Sequence, residues 1–225
     1  MLFRSPSDPY GDAYKAGTTK KKKCSGHFCL HWVTSGSDAP KSSGWITTTL
    51  TTMNKVWKYE VGKLGYRAPV SDKGYPGNGG NGQFDVYLKN IGGQGYYGYC
   101  APEYLKKGSQ RQANGYCVLD NDFSRGEFNA PPKNSLTVTA AHEFFHAIQF
   151  GYDYLDDRWF LESTATWMED QFADSINDNR QYLSTGQVAV PSTPLDLSDS
   201  NAISMYGNWA WWEFLTERYG RDLVR

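Results

Sequence analysis

The sequence predicts an α+β fold with two lobes, a twisted sheet with a backing helix first and a mainly helical part second. Three observations predict it. Short runs of alternating apolar residues gather before Asp120, and helical spacing of apolar residues takes over from Val138. The 225 residues suffice to bury a core for one domain or two lobes around a cleft.

Residues 1–23 are polar, rich in Gly, Lys, Ser and Asp, and without period, so they are expected to be a flexible leader or propeptide remnant. Lys20-Lys21-Lys22-Lys23 reads as a solvated stretch or a processing point. Met1 to Pro6 lacks the apolar core of a secretory signal, so an exported protein would already have lost its leader or be represented here by a fragment. The first lobe is expected over 24–151 and the second over 152–225, continuing past Arg225.

His27 to Val33 alternates and predicts the first strand, with His27, Cys29 and His31 on one face. After a turn-rich connection from Gly36 to Ser43, Ile46, Leu50, Met53, Trp57 and Leu64 recur at helical steps, and Gly65 and Pro69 end that helix. A glycine-rich loop spans Ser71 to Gly82, and Phe84 to Leu88 alternates as a strand. Gly92 to Cys100 carries four glycines and reads either as an ordinary loop or as a sheet edge that an extended peptide can approach. Gly115 to Asp120 is the strand leading to the next helix. Asp120, Asn121 and Asp122 fit an Asx-rich turn, with calcium binding as the alternative.

Pro131-Pro132 cannot lie inside a helix, so the next one is expected to start after them, with Asn134 or Ser135 as N-cap. Val138, Ala141, Phe145 and Ile148 give it an apolar stripe and Gly151 its stop. On this helix stands His142-Glu143-Phe144-Phe145-His146. Residues four apart share a helical face, so His142 and His146 can present two imidazoles to one metal ion while Glu143 reaches a water beside it. A catalytic zinc needs a third protein ligand. No histidine follows His146, so a carboxylate must supply it. Trp159 to Asp170 reads as a helix folding back on the first, with Glu162, Thr166 and Glu169 on one face. Trp209 to Tyr219 is the last predicted helix.

A formal charge of −1 gives no reason to expect nucleic acid or an anionic membrane as partner, and no apolar stretch is long enough to cross a bilayer. The oligomeric state stays open. The four cysteines are expected to form Cys24–Cys29 and Cys100–Cys117, which with the aromatic-rich composition fits an exported protein. Reduced thiols, or a small zinc site of Cys24, His27, Cys29 and His31, are the alternatives.

The His-Glu-Phe-Phe-His-Ala motif followed by Glu162-Ser163-Thr164-Ala165-Thr166-Trp167 resembles the gluzincin metallopeptidases, the thermolysin-like and aminopeptidase-like group, and bacterial secreted metallopeptidases of this kind. The specific likeness covers residues 136–170, with looser similarity over 24–33 and 84–122. It implies a two-lobed zincin-like fold, one catalytic Zn2+ on His142, His146 and Glu162, and Glu143 as general base. Glu169 remains the other candidate ligand, and the usual acidic residue one turn after the ligand is Thr166 here. Tyr206, followed by Gly207 at a helix start, resembles the group that hydrogen-bonds the oxyanion in this family. The expected activity is an extracellular zinc endopeptidase acting on protein or peptide substrate. An aminopeptidase, or a noncatalytic domain gripping peptide or carbohydrate with its aromatics, are the alternatives.

Overall fold

Five strands make one mixed sheet in the computed structural model, which describes residues 13–198 and 203–225. They are β1 (Lys20–Ser25), β2 (Phe28–Val33), β3 (Phe84–Lys89), β4 (Gly98–Leu105) and β5 (Ala113–Asp120), in spatial order β1-β2-β3-β5-β4. The three central strands are parallel, and β1 and β4 run antiparallel at the two rims. Parallel strands are stable only when both faces are covered. On one face Phe28 meets Phe84, Phe144 and Trp57 edge-on. On the other, Val33, Tyr87, Tyr116 and Val118 form a second buried cluster with Tyr14. The Tyr14 hydroxyl donates to the Leu88 carbonyl at 2.7 Å.

Lys20 to Lys23, expected in a flexible leader, instead form most of β1. Pairing with β2 orders their backbone although every side chain is exposed. A strand with solvent on both faces has no apolar alternation, so periodicity cannot reveal it. Residues 1–12 of that leader lie outside the described part. Both expected disulfides form, each between directly paired residues of antiparallel strands. The first one overturns the small zinc site, because a disulfide sulfur is not a thiolate ligand. His27 stacks on Trp57 at 4.0 Å instead, and His31 Nε2 lies 2.7 Å from Asp85 Oδ1.

Helix α1 (Ser43–Trp57) starts where Ser42 Oγ accepts from the Trp45 amide, and buries Ile46, Leu50, Met53 and Val56. It runs on into one π-helical turn, Lys58–Lys63, before Gly65 at φ 76° breaks the chain direction. A short α2 (Arg125–Phe128) precedes α3 (Pro132–Asp153). Neither Asn134 nor Ser135 caps α3. Pro132 itself lies in the first turn, where its fixed φ suits the helix and its missing N–H costs nothing. Gly151 does not stop the helix, which continues to Asp153, since a helical glycine costs only about 1 kcal/mol. Helix α1 packs on β2 and α3, and α3 packs on β4 and β5.

The chain divides into two compact units between Tyr154 and Leu155. The second unit is helical, with α4 (Arg158–Ala173), α5 (Ser204–Gly207) and α6 (Trp209–Tyr219) joined through 3-10 turns. Buried Trp167, Trp209 and Trp212 each satisfy their indole N–H, donating to Glu213 Oε2 at 3.0 Å, the Asn179 carbonyl at 3.0 Å and Ser163 Oγ at 2.8 Å. Gly186 and Gly207 touch backbone to backbone; a Cβ on Gly186 would sit 2.5 Å from the Gly207 carbonyl carbon. Among the described residues no helix is long and apolar enough to cross a membrane.

Candidate metal centre

Helix α3 puts His142 and His146 one turn apart, and their Nε2 atoms approach to 3.1 Å. Two nitrogens bound at about 2.0–2.1 Å to one tetrahedral zinc are separated by about 3.3 Å, so the pair is already spaced for a shared ion. His146 Nδ1 lies 2.7 Å from Gln149 Oε1, three residues on. An amide oxygen can only accept, so Nδ1 carries the proton in that bond and Nε2 is the nitrogen that faces His142. Two imidazole nitrogens so placed suit a borderline-soft divalent cation such as zinc.

Glu143, also buried, turns towards β4. A Cβ on Gly98 would lie 2.8 Å from Glu143 Cγ, 3.0 Å from Thr139 Cγ2 and 3.1 Å from Leu119 Cδ2. The strand therefore passes the carboxylate's stem with no room for a side chain. Below it, Cys100 Sγ is 2.7 Å and Cys117 Sγ 3.5 Å from the Glu143 carbonyl oxygen, so the second disulfide underpins the backbone of the motif.

Glu60, in the π-helical turn, is fully buried and both its carboxylate oxygens are without a hydrogen-bond partner. Burial pushes its carboxyl well above the usual carboxylate range, and the charge of His142 opposes that rise.

In the second unit, Glu162 is half-buried on α4 with Arg158 Nε at 3.8 Å. Thr166 Oγ1 donates to the Glu162 carbonyl at 2.9 Å, and Glu169 is buried two turns along from Glu162. Tyr206, on α5, is half-buried with its ring 5.2 Å from that of Tyr182. The glycine after it is required by the close contact with Gly186. Thus α3 brings together His142, Glu143 and His146, whereas Glu162, Glu169 and Tyr206 belong to the other unit.

The acidic turn after β5 brings carboxylate oxygens of Asp120, Asp122 and Glu127 within 4.8 Å of one another. Its oxygens are engaged in holding the turn. Asp120 Oδ1 accepts from the Ile91 and Gly92 amides, and Oδ2 from Asp122 and Phe123. Asn121 Nδ2 donates to the Ser37 and Ala39 carbonyls, and Lys41 Nζ stands 3.5 Å from Asp122 Oδ2. These bonds are those of an Asx-rich turn.

Three residues escaped the sequence reading. Gln149 had a signal, its i+3 spacing from His146. Glu60 had one too, since it continues the stripe Ile46, Leu50, Met53, Val56 as a charged residue where an apolar one is expected. Gly98 had only its place among other glycines. No known family model and no curated protein matches the chain.

Proposed function

We propose that this chain is a zinc-dependent endopeptidase of gluzincin type, with His142, His146 and Glu162 holding the ion. The observation that carries this reading is the 3.1 Å approach of the two Nε2 atoms, with Glu143 between the histidines in sequence and β4 running past its side chain. Bound zinc supplies a Lewis acid that acidifies water and polarises the scissile carbonyl. Glu143 takes the proton of the attacking water and delivers it to the departing amine nitrogen. The disulfide contact at its carbonyl and the tight passage of Gly98 hold this base in one place, which favours efficient proton transfer.

Strand β4 is a rim of the sheet, so an extended peptide can add to it through backbone hydrogen bonds. The substrate in this reading is a protein or peptide segment in extended form. Tyr206 is assigned to hydrogen-bond the oxyanion. Two disulfides support an oxidising, extracellular setting.

Zinc content and casein hydrolysis, with and without chelator, test the proposal. Wild type is expected to carry one zinc and lose hydrolysis on chelation. Glu143→Gln should keep the zinc and lose about 10²–10⁴ in turnover. Full activity of Glu143→Gln refutes the base assignment, and stoichiometric zinc in His146→Ala refutes that ligand. Zinc without hydrolysis in wild type would favour a binding domain, and a blocked peptide left intact while its free-amine form is cleaved would favour an aminopeptidase.

A further inference from the structure

A buried carboxylate without a donor is an expensive thing for a fold to keep, and Glu60 is one. Its surroundings place it against the motif helix. Just before it, Trp57 packs on Phe144 with ring centroids 5.4 Å apart. Its own carbonyl accepts from the Tyr66 amide at 3.2 Å, and the Tyr66 ring packs edge-on against Phe145 at 5.0 Å. Glu60 is thus bracketed by two aromatic contacts to the residues inside the His-Glu-Phe-Phe-His segment. Glu60 continues the α1 stripe of Met53 and Val56 into the π-helical turn, which an i→i+5 bond from the Leu64 amide to the Tyr59 carbonyl closes behind it.

The two histidines need different support. His146 has Gln149 on its Nδ1. With its Nε2 turned to His146, His142 has Nδ1 as its outward nitrogen. A metal-binding imidazole is oriented and made more basic by a carboxylate or carbonyl behind it. We propose that Glu60 is a positioning residue for His142, a buried acidic group against the motif helix that supports the ring and strengthens its hold on zinc. This rests on the zinc reading above. A carboxylate retained for metal binding also explains why so costly a group stands on an otherwise apolar stripe: the cost is borne by the metal-free fold and offset when a cation arrives.

Two measurements on Glu60→Gln and Glu60→Met test this, neither needing catalysis: zinc affinity by competition with a chromophoric chelator, and thermal melting of the metal-free protein. The expected result is zinc affinity about 10–100-fold weaker in both variants, with metal-free melting temperatures equal to or above wild type. Unchanged zinc affinity in both variants overturns the inference while leaving the zinc reading intact. A lowered metal-free melting temperature in both, or failure of both to fold, overturns it as well, since Glu60 would then be a structural group. A wild type that takes up no zinc at all removes the metal reading itself.

Discussion

Replacing Gly98 by alanine adds one methyl group where the chain leaves no room. The new Cβ would stand 2.8 Å from Glu143 Cγ. Ordinary carbon contacts begin at about 3.5–4.0 Å, so the glutamate stem must retreat by about 0.7–1.2 Å. Thr139 Cγ2 at 3.0 Å and Leu119 Cδ2 at 3.1 Å belong to packed side chains and limit how far the strand itself can shift. Overpacking of this size costs about 1–3 kcal/mol, and the low end applies because a flexible glutamate can absorb much of it by rotation. Function has no such escape. A misplacement of about 1 Å in a catalytic group costs about 100-fold, which dominates the stability effect. Gly98→Ala is therefore expected to melt within a few degrees of wild type, keep its zinc, and lose about 100-fold in kcat on a blocked fluorogenic peptide. The double variant with Glu143→Gln should be no slower than Glu143→Gln alone, because the base being displaced is already gone. A Gly98→Ala protein with wild-type kcat and wild-type zinc content would refute the link between the strand and the base.

The two disulfides should differ in worth. Cys100–Cys117 spans 17 residues and Cys24–Cys29 only 5, so loop-closure entropy gives about 3 and about 2 kcal/mol. Paired alanine variants compared by denaturant unfolding should show the larger loss at Cys100 and Cys117, and the reverse order would contradict the entropic account. Glu213 offers a pH test. Burial and the neighbouring Asp170 raise its carboxyl above the usual range, against the hydrogen bond from Trp167. The folded state therefore binds a proton that the unfolded state has released, and stability falls as pH rises from about 4.5 through the raised value. Glu213→Gln should flatten that part of the melting-temperature profile, and an unchanged slope would exclude Glu213 as its source.

Much of the first unit was legible because its signals are local. The alternation of Phe84 to Leu88, the helical steps of Ile46, Leu50 and Met53, and the i, i+4 histidines are each written within a few residues. What escaped depends on distant pairing. Lys20 to Lys23 are a strand only because β2 lies beside them, and Gly98 matters only because β4 and α3 meet. The α3 stripe was drawn too narrowly for a related reason. Packed against β4 and β5 as well as α1, the helix buries Phe144, His142 and Glu143 alongside the predicted Phe145 and Ile148. The buried α1 stripe runs through Val56 and Glu60 rather than the expected Trp57 and Leu64, and a charged residue on it is passed over when only apolar residues are counted.

The lysine-bearing β1 gives the sheet two chemically unlike rims. Four ammonium groups in a row repel any second strand that would lie alongside, the usual defence against runaway self-association. β4 carries no such row of charges. Guarding one border electrostatically is enough to keep whole molecules from polymerising edge to edge, since a fibre of that kind needs both.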